Sequence, residues 1–426
     1  MQPPVCSNHD MDGRSDLIVM SQYFYPELIS TGQLLTELVE DLIRDGRRIE
    51  VWAGHLTYYE TKRVETVINY HGVLVRRVWS TQFNKNRLRG KILNNLTFMI
   101  SMLLKVRTIA RGRSVLVVTC PPLLPLIGVL SKFFGPSKVS VLVHDVYPDI
   151  AVATGYLKKN GLLVHLFDRI MKYVYEYADE IIVLGRDMRD IVVRKLPFHM
   201  RDKVKIIENW SDGQLIRPFP KIDSAMAKAE GLEKPFVVQY SGNMGLFHDL
   251  EILIHAAKRL EHEDVVFLFI GGGGQRSALE DLADSIRTSN VRFIPYQPKE
   301  CLSDSLMCSD LSVVTLASGV EGLAVPSKLY GILASGRPVL AVVPWKSEVA
   351  YTVLEGDCGV VIPPSDIDAF VAAVRRLKGD PELRERLGKN ARAFFEMKYD
   401  RKIIARRFES LLFSGDEAEN GFPPSS

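Results

Sequence analysis

Short apolar runs alternate with helical patterns twice along this chain, and this alternation restricts the fold more than any other feature. In the first half, the run Leu17–Met20 precedes a helical pattern over residues 34–43 and a second apolar run at Ile49–Ala53. Strand, helix and strand in this order form the repeating unit of a parallel sheet. Further buried strands are predicted at Val115–Thr119, Val139–His144 and Glu180–Leu184.

The second half repeats the same pattern. Strands are predicted at Val237–Ser241, Val265–Ile270, Val291–Ile294, Leu311–Leu316, Pro338–Val343 and Val360–Ile362, with helical patterns between them. The sequence therefore predicts an α/β fold of two doubly wound, Rossmann-like domains that face each other. Because ligands bind beyond the carboxyl ends of the strands in open parallel sheets, a ligand is expected in the cleft between the domains.

The chain has 426 residues, a length that suits two such domains. The polar segment 209–234 contains two prolines and is the predicted linker. The full prediction is a disordered head over 1–15, an N-terminal domain over 16–208, this linker, a C-terminal domain over 235–395, a helix over 396–414 that returns to the first domain, and a disordered tail over 415–426.

Composition excludes several classes of function. The formal net charge is only +3, which does not indicate a nucleic-acid-binding protein. None of the five cysteines forms a C-x-x-C pair, which argues against a disulfide framework and a zinc site and suits a reducing cytoplasm. The start of the chain has no apolar stretch typical of a secretory signal, and no window reaches the roughly 20 apolar residues of a spanning helix. We therefore expect a cytoplasmic protein.

The strongest chemical signal surrounds one predicted helix of the second half. Pro326 stands where the helix begins, Ser327 is a suitable N-cap, and Gly336 ends the helix. A helix start offers backbone N–H groups and a positive dipole end to a phosphate, and Lys328 adds a full charge there. Glu321, on the preceding loop, can accept hydrogen bonds from sugar hydroxyls. A diphosphate with an attached sugar fits this set, and the alternative is a loop and helix that merely pack.

This stretch, Gly319–Pro338, resembles the donor-site signature of the retaining family 4 glycosyltransferases, which have the GT-B fold. The form Pro326–Tyr330 is similar to the subgroup of bacterial colanic-acid and N-acetylfucosamine transferases. Further motifs that match the family are Phe24–Glu27, His144–Asp149, Asn209–Asp212 and Tyr240–Gly245. The likeness covers nearly the whole chain apart from its two ends.

The resemblance implies transfer of a sugar, with retention of configuration, from a nucleoside diphosphate sugar to a hydroxyl acceptor. It places the acceptor in the N-terminal domain and the donor in the C-terminal domain. The acceptor would be a polysaccharide or a lipid-linked sugar in bacterial surface polysaccharide or glycolipid biosynthesis, at the inner face of the membrane. We expect no cofactor, no metal and no nucleic-acid partner.

The resemblance also assigns residues. His144 and Glu321 would be catalytic, with His144 near the anomeric centre and Glu321 on the donor sugar. The residues implied in donor binding are Gly32, Gly242, Asn243, Gly245, His248, Tyr296, Gln297, Glu321, Gly322, Val325, Pro326, Ser327 and Lys328. Within this set, Tyr296 and Gln297 would meet the base, Gly32 would lie close to the phosphates, and the run Val325–Lys328 would hold the diphosphate.

The chain departs from the family pattern at the second glutamate, where the subgroup also normally keeps a carboxylate, and at the basic pair. The second glutamate of the signature, which binds ribose in the family, aligns with Gly331, and eight positions after Glu321 stands Leu329. The basic pair that neutralises the diphosphate in many members is replaced by Asn243 and His248. His248 is expected to titrate near neutrality, and Lys328 is expected to compensate for the lost charge.

Two other functions remain open on the sequence. A nucleotide-sugar epimerase shares the architecture, but it needs carboxylates aimed at the sugar ring and Glu321 alone is well placed. A non-catalytic nucleotide-sugar-binding subunit is the other alternative, and the missing second glutamate favours it. An epimerase would form an epimerised sugar nucleotide without any acceptor. A binding subunit would bind the donor and never consume it.

Weaker signals have ordinary structural explanations. The run Gly271–Gly274 follows a strand, and we interpret it as a tight turn bordering the donor pocket rather than as a dinucleotide site. The Asp-x-Asp pairs Asp10/Asp12 and Asp366/Asp368 are expected at the surface and not around a metal.

The segment 85–113 is basic at both ends and apolar in the middle. Such a helix can lie in a membrane interface, or it can be a domain helix with one buried face and solvated ends. The basic residues are Lys85, Arg87, Arg89, Lys91, Lys105, Arg107, Arg111 and Arg113. Both interpretations stay open at this point.

Overall fold

The computed structural model describes residues 15–27, 29–55, 65–83, 88–135 and 137–414. The predicted disordered tail, and all of the predicted disordered head except Ser15, lie outside these residues. So do Cys6, Asp10, Asp12, Lys85 and Arg87.

The first sheet contains eight strands in the described part of the chain. They are β1 (Leu17–Met20), β2 (Ile49–Gly54), β3 (Val67–Tyr70), β4 (Val73–Val78), β5 (Ser114–Val118), β6 (Lys138–Val143), β7 (Glu180–Val183) and β8 (Val204–Ile206). Their order across the sheet is β3-β4-β2-β1-β5-β6-β7-β8. Strand β1 pairs in parallel with β2 and β5, with Leu17 opposite Ile49 on one side and Ser114 on the other.

The second sheet is parallel throughout its six strands. They are β9 (Phe236–Ser241), β10 (Val265–Ile270), β11 (Val291–Ile294), β12 (Leu311–Thr315), β13 (Val339–Val342) and β14 (Gly359–Ile362). Their order is β11-β10-β9-β12-β13-β14, so the chain reverses direction across the sheet after β11. The predicted α/β fold with two sheets is confirmed; the first sheet is mixed and the second is parallel. Each predicted strand agrees with an observed one to within one residue at either end.

Sixteen α-helices connect and cover the strands of the described segments. They are α1 (Ser30–Arg44), α2 (Leu88–Leu104), α3 (Val106–Ile109), α4 (Leu124–Ser131), α5 (Asp149–Ala153), α6 (Leu162–Tyr177), α7 (Arg186–Arg194), α8 (Ala225–Ala229), α9 (Glu251–Arg259), α10 (Arg276–Ser285), α11 (Leu302–Met307), α12 (Lys328–Ser335), α13 (Glu348–Glu355), α14 (Ile367–Gly379), α15 (Pro381–Lys398) and α16 (Arg401–Leu412).

The antiparallel pair β3–β4 and the short strand β8 are additions to the predicted set. The side chains of β3 alternate between exposed and half-buried positions, because this strand lies at the edge of its sheet. Continuous apolar runs mark strands that are buried on both faces, and β3 lacks such a run.

The described residues form two compact units. One consists of segments within 1–142, 173–181 and 409–426, and the other of 143–172 and 182–408. In the first, the end of α16 is fixed where Lys138 Nζ donates to Leu411 O at 2.9 Å and Arg47 pairs with Glu409 at 3.6 Å. The two units are each made of several separate segments of the chain, so they do not test the predicted domain boundaries, which stay predictions.

The core of the second unit lies between the second sheet and its helices. Phe267 and Phe269 of β10 are fully buried, and Phe267 stacks on Phe370 of α14 with the ring centroids 6.2 Å apart. Strands this apolar on both faces need helices on both sides, which the alternating sequence supplies. The rigid core holds the carboxyl ends of β9, β10, β11 and β12 side by side, and the loops that leave these ends carry most of the predicted donor-binding residues.

Candidate active site

Helix α12 begins within the signature segment and ends where the sequence predicted. Gly336 follows its last turn with φ 65°, the left-handed conformation that a glycine adopts without strain. The expectation that Ser327 caps the helix is wrong in one respect. Ser327 occupies the N-cap position, but its backbone is helical, with φ −64° and ψ −23°, and its hydroxyl makes no capping hydrogen bond. The Ser327 hydroxyl is therefore not used by the helix.

Lys328, the first residue of α12, turns its ammonium group toward the end of β9. Its Nζ donates to the hydroxyl of Tyr240 and lies 3.8 Å from the centroid of the Tyr240 ring. Burial lowers the pKa of Lys328 well below its usual value. Among the residues that the structure describes, no carboxylate forms an ion pair with it. A cation surrounded by neutral groups in a low-dielectric site attracts an anion strongly.

His248 faces the same ammonium group from the loop after β9. Its Nδ1 lies 2.8 Å from the carbonyl oxygen of Thr315, and its Nε2 lies 3.4 Å from Lys328 Nζ. A carbonyl can only accept, so Nδ1 carries the proton and Nε2 presents its lone pair to the ammonium. Burial, and then the nearby charge of Lys328, lower the pKa of His248 to about 3. The expectation that His248 titrates near neutrality is therefore wrong, because that expectation ignored burial.

The neutral state of His248 makes the stability of the protein sensitive to acid. The unfolded chain binds a proton at this position below about pH 6.5, whereas the folded chain does so only near pH 3. Stability from this group is thus complete above about pH 6.5 and is lost as the pH falls toward 3. The variant His248→Asn can still donate to Thr315 but cannot take up a proton. As the pH is lowered from about 8 to about 5, we expect the unfolding free energy of the variant to rise by about 2 kcal/mol relative to that of the wild type.

Urea unfolding at the two pH values measures this difference directly. The exposed His262, whose side chain is 92% accessible, supplies the matched control His262→Asn, with which the response of His248→Asn is compared. If both variants respond alike, the assignment of a neutral His248 is wrong.

The loops after β9 and β10 approach each other so closely that glycine is required. A Cβ on Gly271 would lie 2.2 Å from the carbonyl oxygen of Gly242, and one on Gly273 would lie 2.6 Å from Oδ1 of Asn243. The loops are joined by Met244 N, which donates to Gly272 O at 2.7 Å. The run Gly271–Gly274 is therefore a turn packed against predicted donor-binding residues.

Other predicted donor-binding residues lie on or next to the loops after β9 and β10. Gln275 Nε2 donates to the carbonyl oxygens of Gly245 and His248, which fixes the course of the loop after β9. Tyr296, which is 45% exposed, reaches Gly272 O with its hydroxyl at 3.4 Å. The next residue, Gln297, donates to Pro295 O at 3.0 Å. The structure thus places Tyr296 on the glycine turn that contacts Gly242, and a Cβ on Gly242 would lie 3.4 Å from Cε of Lys328.

The loop that carries Glu321 is held by its own backbone and by a distant carboxylate. Oε2 of Glu321 accepts from Gly319 N at 2.7 Å, so the carboxylate is anchored on its own loop. Gly322 has φ 73°, and a Cβ there would lie 2.6 Å from Cδ1 of Ile191. The backbone N–H of Gly322 donates to Oδ2 of Asp187 at 2.9 Å.

Asp187 is a residue of this site that the sequence analysis missed. Its Oδ2 also accepts from the N–H of Glu348 at 2.9 Å, and its Oδ1 accepts from that of Met188 at 2.7 Å. Burial raises the pKa of Asp187 to about 6. Asp187 therefore ties the start of α7 to both the Glu321 loop and the start of α13. The sequence did contain one indication of this role, because Asp187 comes shortly after the predicted strand Glu180–Leu184 and site residues follow the carboxyl ends of parallel strands.

An ion pair next to Asp187 reinforces the same junction. Arg186 contacts the buried carboxylate of Glu348 with Nη2 to Oε1 at 2.8 Å and Nε to Oε2 at 3.0 Å, and its backbone N–H donates to Oε2 at 2.6 Å. Such a bidentate pair fixes geometry as well as charge. The loop that presents Glu321 thus rests on a rigid base.

The loop after β6 brings His144 to the Glu321 loop. Asp145 forms an antiparallel bridge with Ala324, and Val146 N donates to Leu323 O at 2.9 Å. Burial lowers the pKa of His144 to about 4, so the imidazole is neutral at physiological pH. The two predicted catalytic residues therefore lie on loops that are hydrogen-bonded to each other.

The remaining predicted residues have simple placements. Gly32 is buried in the first turn of α1 in the other unit, where a Cβ would lie 3.0 Å from Cβ of Glu27. Val325 is buried, and Pro326 is half-buried beside it. Together with the residues above, these complete the predicted set.

Leu329 and Gly331, the two positions compared with the family's second glutamate, have different surroundings. Leu329 is fully buried. A Cβ on Gly331 would have ordinary contacts of 3.8 Å with Ile216 and Leu306 and 3.9 Å with Ser211 Oγ. A methyl group at Gly331 would therefore fit in ordinary van der Waals contact.

The late Asp-x-Asp pair has structural roles. Asp366 accepts from Ala369 N and caps α14, and Asp368, at the surface, pairs with Arg259. Within the described segments, no group of three or more His, Cys, Asp or Glu side chains is arranged to hold a metal ion.

The chain is similar in sequence to known glycosyltransferases. Residues 222–394 match the family model described as glycosyl transferases group 1. The probable glycosyltransferase WbjE of Pseudomonas aeruginosa is 30% identical over 77% of this chain and 82% of its own length. The putative colanic acid biosynthesis glycosyl transferase WcaI of Escherichia coli K12 is 25% identical over 92% of this chain and 98% of its own.

Solved structures share the fold at low sequence identity. The Anabaena protein HepE in complex with UDP matches 94% of this chain and all of its own, with a TM-score of 0.73 and 15% sequence identity. At this identity the likeness concerns the fold alone. The GT-B architecture expected from the sequence is confirmed by this agreement.

Proposed function

The chain belongs to the group 1 glycosyl transferases, and we propose that it moves a sugar, with retention of configuration, from a nucleoside diphosphate sugar to a hydroxyl acceptor. Relatives named for colanic acid and for lipopolysaccharide core biosynthesis support an acceptor in bacterial surface polysaccharide or glycolipid assembly. The UDP in the HepE structure supports a nucleoside diphosphate donor.

The observation that carries the proposal is the environment of Lys328. Its ammonium lies at the amino end of α12, among the neutral side chains of Tyr240 and His248. A diphosphate placed here receives the full charge of Lys328 and the positive end of the helix dipole. The Ser327 hydroxyl, which the helix does not use, is a further donor at the same end. A bound diphosphate would supply the counter-charge that Lys328 otherwise lacks among the described residues.

The remaining residues then have complementary roles in the proposed complex. Tyr296 and Gln297 would meet the base at the far side of the glycine turn, and Glu321 would bind hydroxyls of the sugar. As charge develops on the leaving diphosphate, Lys328 and the helix N–H groups would stabilise it more strongly than they stabilise the bound donor, which accelerates the reaction.

For the chemical step we propose attack from the face that the diphosphate leaves. The acceptor oxygen forms its bond to the anomeric carbon as the bond to the diphosphate oxygen breaks, and the departing phosphate takes the acceptor proton. Neutral His144 would orient the sugar by hydrogen bonding rather than by charge. This route keeps the configuration and requires no protein nucleophile, no cofactor and no metal.

A donor screen tests the proposal. We expect the cognate member of a set of UDP-, GDP- and dTDP-sugars to raise the unfolding temperature by several degrees, since a ligand at 100 times its Kd stabilises by about 2.7 kcal/mol. The shift should persist in a chelator. NMR of the product with that donor and a polysaccharide or lipid-linked acceptor should then show the same anomeric configuration as the donor.

Three results would count against the proposal. An inverted product would exclude the proposed chemical step, and an epimerised sugar nucleotide formed without acceptor would indicate an epimerase. A donor that binds and is never consumed would indicate a binding subunit.

A further inference from the structure

Helix α2 has an apolar stripe that the first unit does not cover. Six of its residues are between 43% and 79% exposed: Ile92, Leu93, Leu96, Ile100, Leu103 and Leu104. Their spacing follows the helical repeat, so they form one continuous face, which we call the α2 stripe. An apolar face of this length in water usually marks a contact surface.

The opposite face of α2 anchors the helix and fixes the direction of the stripe. Phe98 and Met102 are fully buried. Asn94 accepts from the backbone N–H of Phe83 and donates to its carbonyl oxygen, both at 2.9 Å. Since α2 is held on this side by packing and hydrogen bonds, it cannot turn the stripe inward without breaking them.

Both ends of the α2 stripe are basic. Arg89 and Lys91 lie exposed at its start, and Lys105 and Arg107 lie exposed at its end. The guanidinium of Arg107 lies over the ring of Phe134, 5.3 Å from its centroid, and Phe134 is itself 51% exposed. In the sequence, no Asp or Glu occurs between Glu65 and Asp145. The stripe therefore combines apolar area with positive charge at both ends, and this stretch of sequence supplies no carboxylate to offset that charge.

We propose that the α2 stripe docks on the surface of an anionic lipid bilayer. Apolar side chains would enter the boundary between headgroups and acyl chains, while Arg89, Lys91, Lys105 and Arg107 would meet the phosphates of the headgroups. Among the described residues, no helix is both long and apolar enough to cross a bilayer, so the contact is one of lying on the surface.

Two other occupants fit the observations less well. A second copy of this chain, packed stripe to stripe, would bring basic ends against basic ends, and the acid-free stretch offers no carboxylate to separate them. Nucleic acid would match the charge but not the apolar centre, because its outer surface is made of phosphates. A bilayer with acidic headgroups satisfies both features at once.

Flotation with lipid vesicles tests this docking without donor or acceptor, so its failure is distinguishable from failure of the transferase proposal. We expect the full chain to float with vesicles of phosphatidylglycerol and phosphatidylcholine, and much less with phosphatidylcholine alone. Raising the ionic strength from about 0.15 M to about 1 M should weaken the binding, since the Debye length falls from about 8 Å to about 3 Å.

Paired variants separate the two contributions. Arg89→Gln with Lys91→Gln should weaken binding to anionic vesicles about twenty-five-fold, or about fivefold for each charge. Ile100→Gln with Leu103→Gln should weaken it by more than about tenfold. The matched controls are Arg375→Gln with Lys389→Gln for charge and Leu354→Gln with Met397→Gln for exposed apolar area.

The outcomes are decisive in either direction. Loss of flotation in the α2 variants but not in the controls, with unchanged circular dichroism, supports the docking. Equal loss in both sets, or no flotation of the wild type, overturns it. The proposal is equally overturned if the apolar α2 variant changes the mass in light scattering from dimer to monomer while vesicle binding stays the same, since the stripe would then bind a second copy.

Discussion

Replacing Lys328 by methionine should lower kcat/KM for the cognate donor by about two to three orders of magnitude, a loss comparable to removing a group that stabilises transition-state charge. The same variant should unfold at a higher temperature than the wild type when no ligand is bound. The physical reason is that methionine fills similar space without the desolvation cost of an ammonium whose neighbours include the uncharged side chains of Tyr240 and His248. Activity and stability therefore change in opposite directions.

Steady-state kinetics and thermal unfolding of the ligand-free protein give the two readouts. Lys346→Met, at an exposed lysine of the same unit, is the matched control and should change neither. A structural role for Lys328 predicts the reverse pattern, in which the variant is less stable and its kcat/KM is close to that of the wild type. That pattern would remove the main support for the donor site.

The second large effect is expected at Asp187. In Asp187→Ala, the N–H groups of Gly322, Glu348 and Met188 lose their acceptor. Each unsatisfied buried N–H costs about 1–3 kcal/mol, and release of the buried carboxylate offsets part of this sum. We expect a net loss of about 2–4 kcal/mol in unfolding free energy, together with a raised KM for the donor because the Glu321 loop is no longer held.

Asp187→Asn is the matched control for charge. Its amide oxygen can take the place of Oδ2 and keep the bonds from Gly322 and Glu348, so it should retain most of the stability and the donor KM. If alanine and asparagine behave alike, the hydrogen bonds to the loop are not what Asp187 contributes.

The pKa of Asp187 adds a signature in pH. Because the pKa is raised to about 6 in the folded protein, the folded state binds a proton before the unfolded chain does as the pH falls. The stability from this proton is complete below the ordinary range of an aspartate, near pH 4, and is lost as the pH rises through about 6. The difference between wild type and Asp187→Ala should therefore grow by about 1 kcal/mol between about pH 7 and about pH 5. Urea unfolding at both values measures it.

The sequence was sufficient for the strands because most of them are buried on both faces. An apolar run such as Val265–Ile270 has one plausible environment in an α/β protein, and the structure places it there. The edge strand β3 has an open face and no such run. Prediction failed for β3 and β4, whose side chains alternate between more and less exposed positions instead of forming a continuous apolar run.

The candidate donor site was proposed from one short segment. Glu321, Pro326 and Lys328 lie within eight residues of each other, so the covalent chain alone keeps them close together. Asp187 lies far from them in sequence, and its importance comes from a contact with Gly322 that tertiary folding creates. The neutral state of His248 likewise follows from burial, which the sequence does not contain.

For helix α2, the apolar pattern of the sequence did not show which side chains are buried. Its apolar residues occupy two faces, so periodicity alone left a buried helix and a membrane-facing helix equally open. Packing of Phe98 and Met102 accounts for one face and leaves the other exposed. Only the structure separates the two sets.

The close approach of Gly271 to Gly242 limits how the donor preference of this enzyme can be altered in the laboratory. A side chain at Gly271 would displace the main chain that borders Lys328, so nearly every substitution there would damage catalysis before it changed selectivity. Directed evolution toward a different nucleotide is better aimed at Tyr296 and Gln297, the proposed contacts of the base, because Tyr296 is exposed and its exchange does not require the glycine turn to move. A randomised library that spares the glycine turn should therefore contain a larger share of active clones.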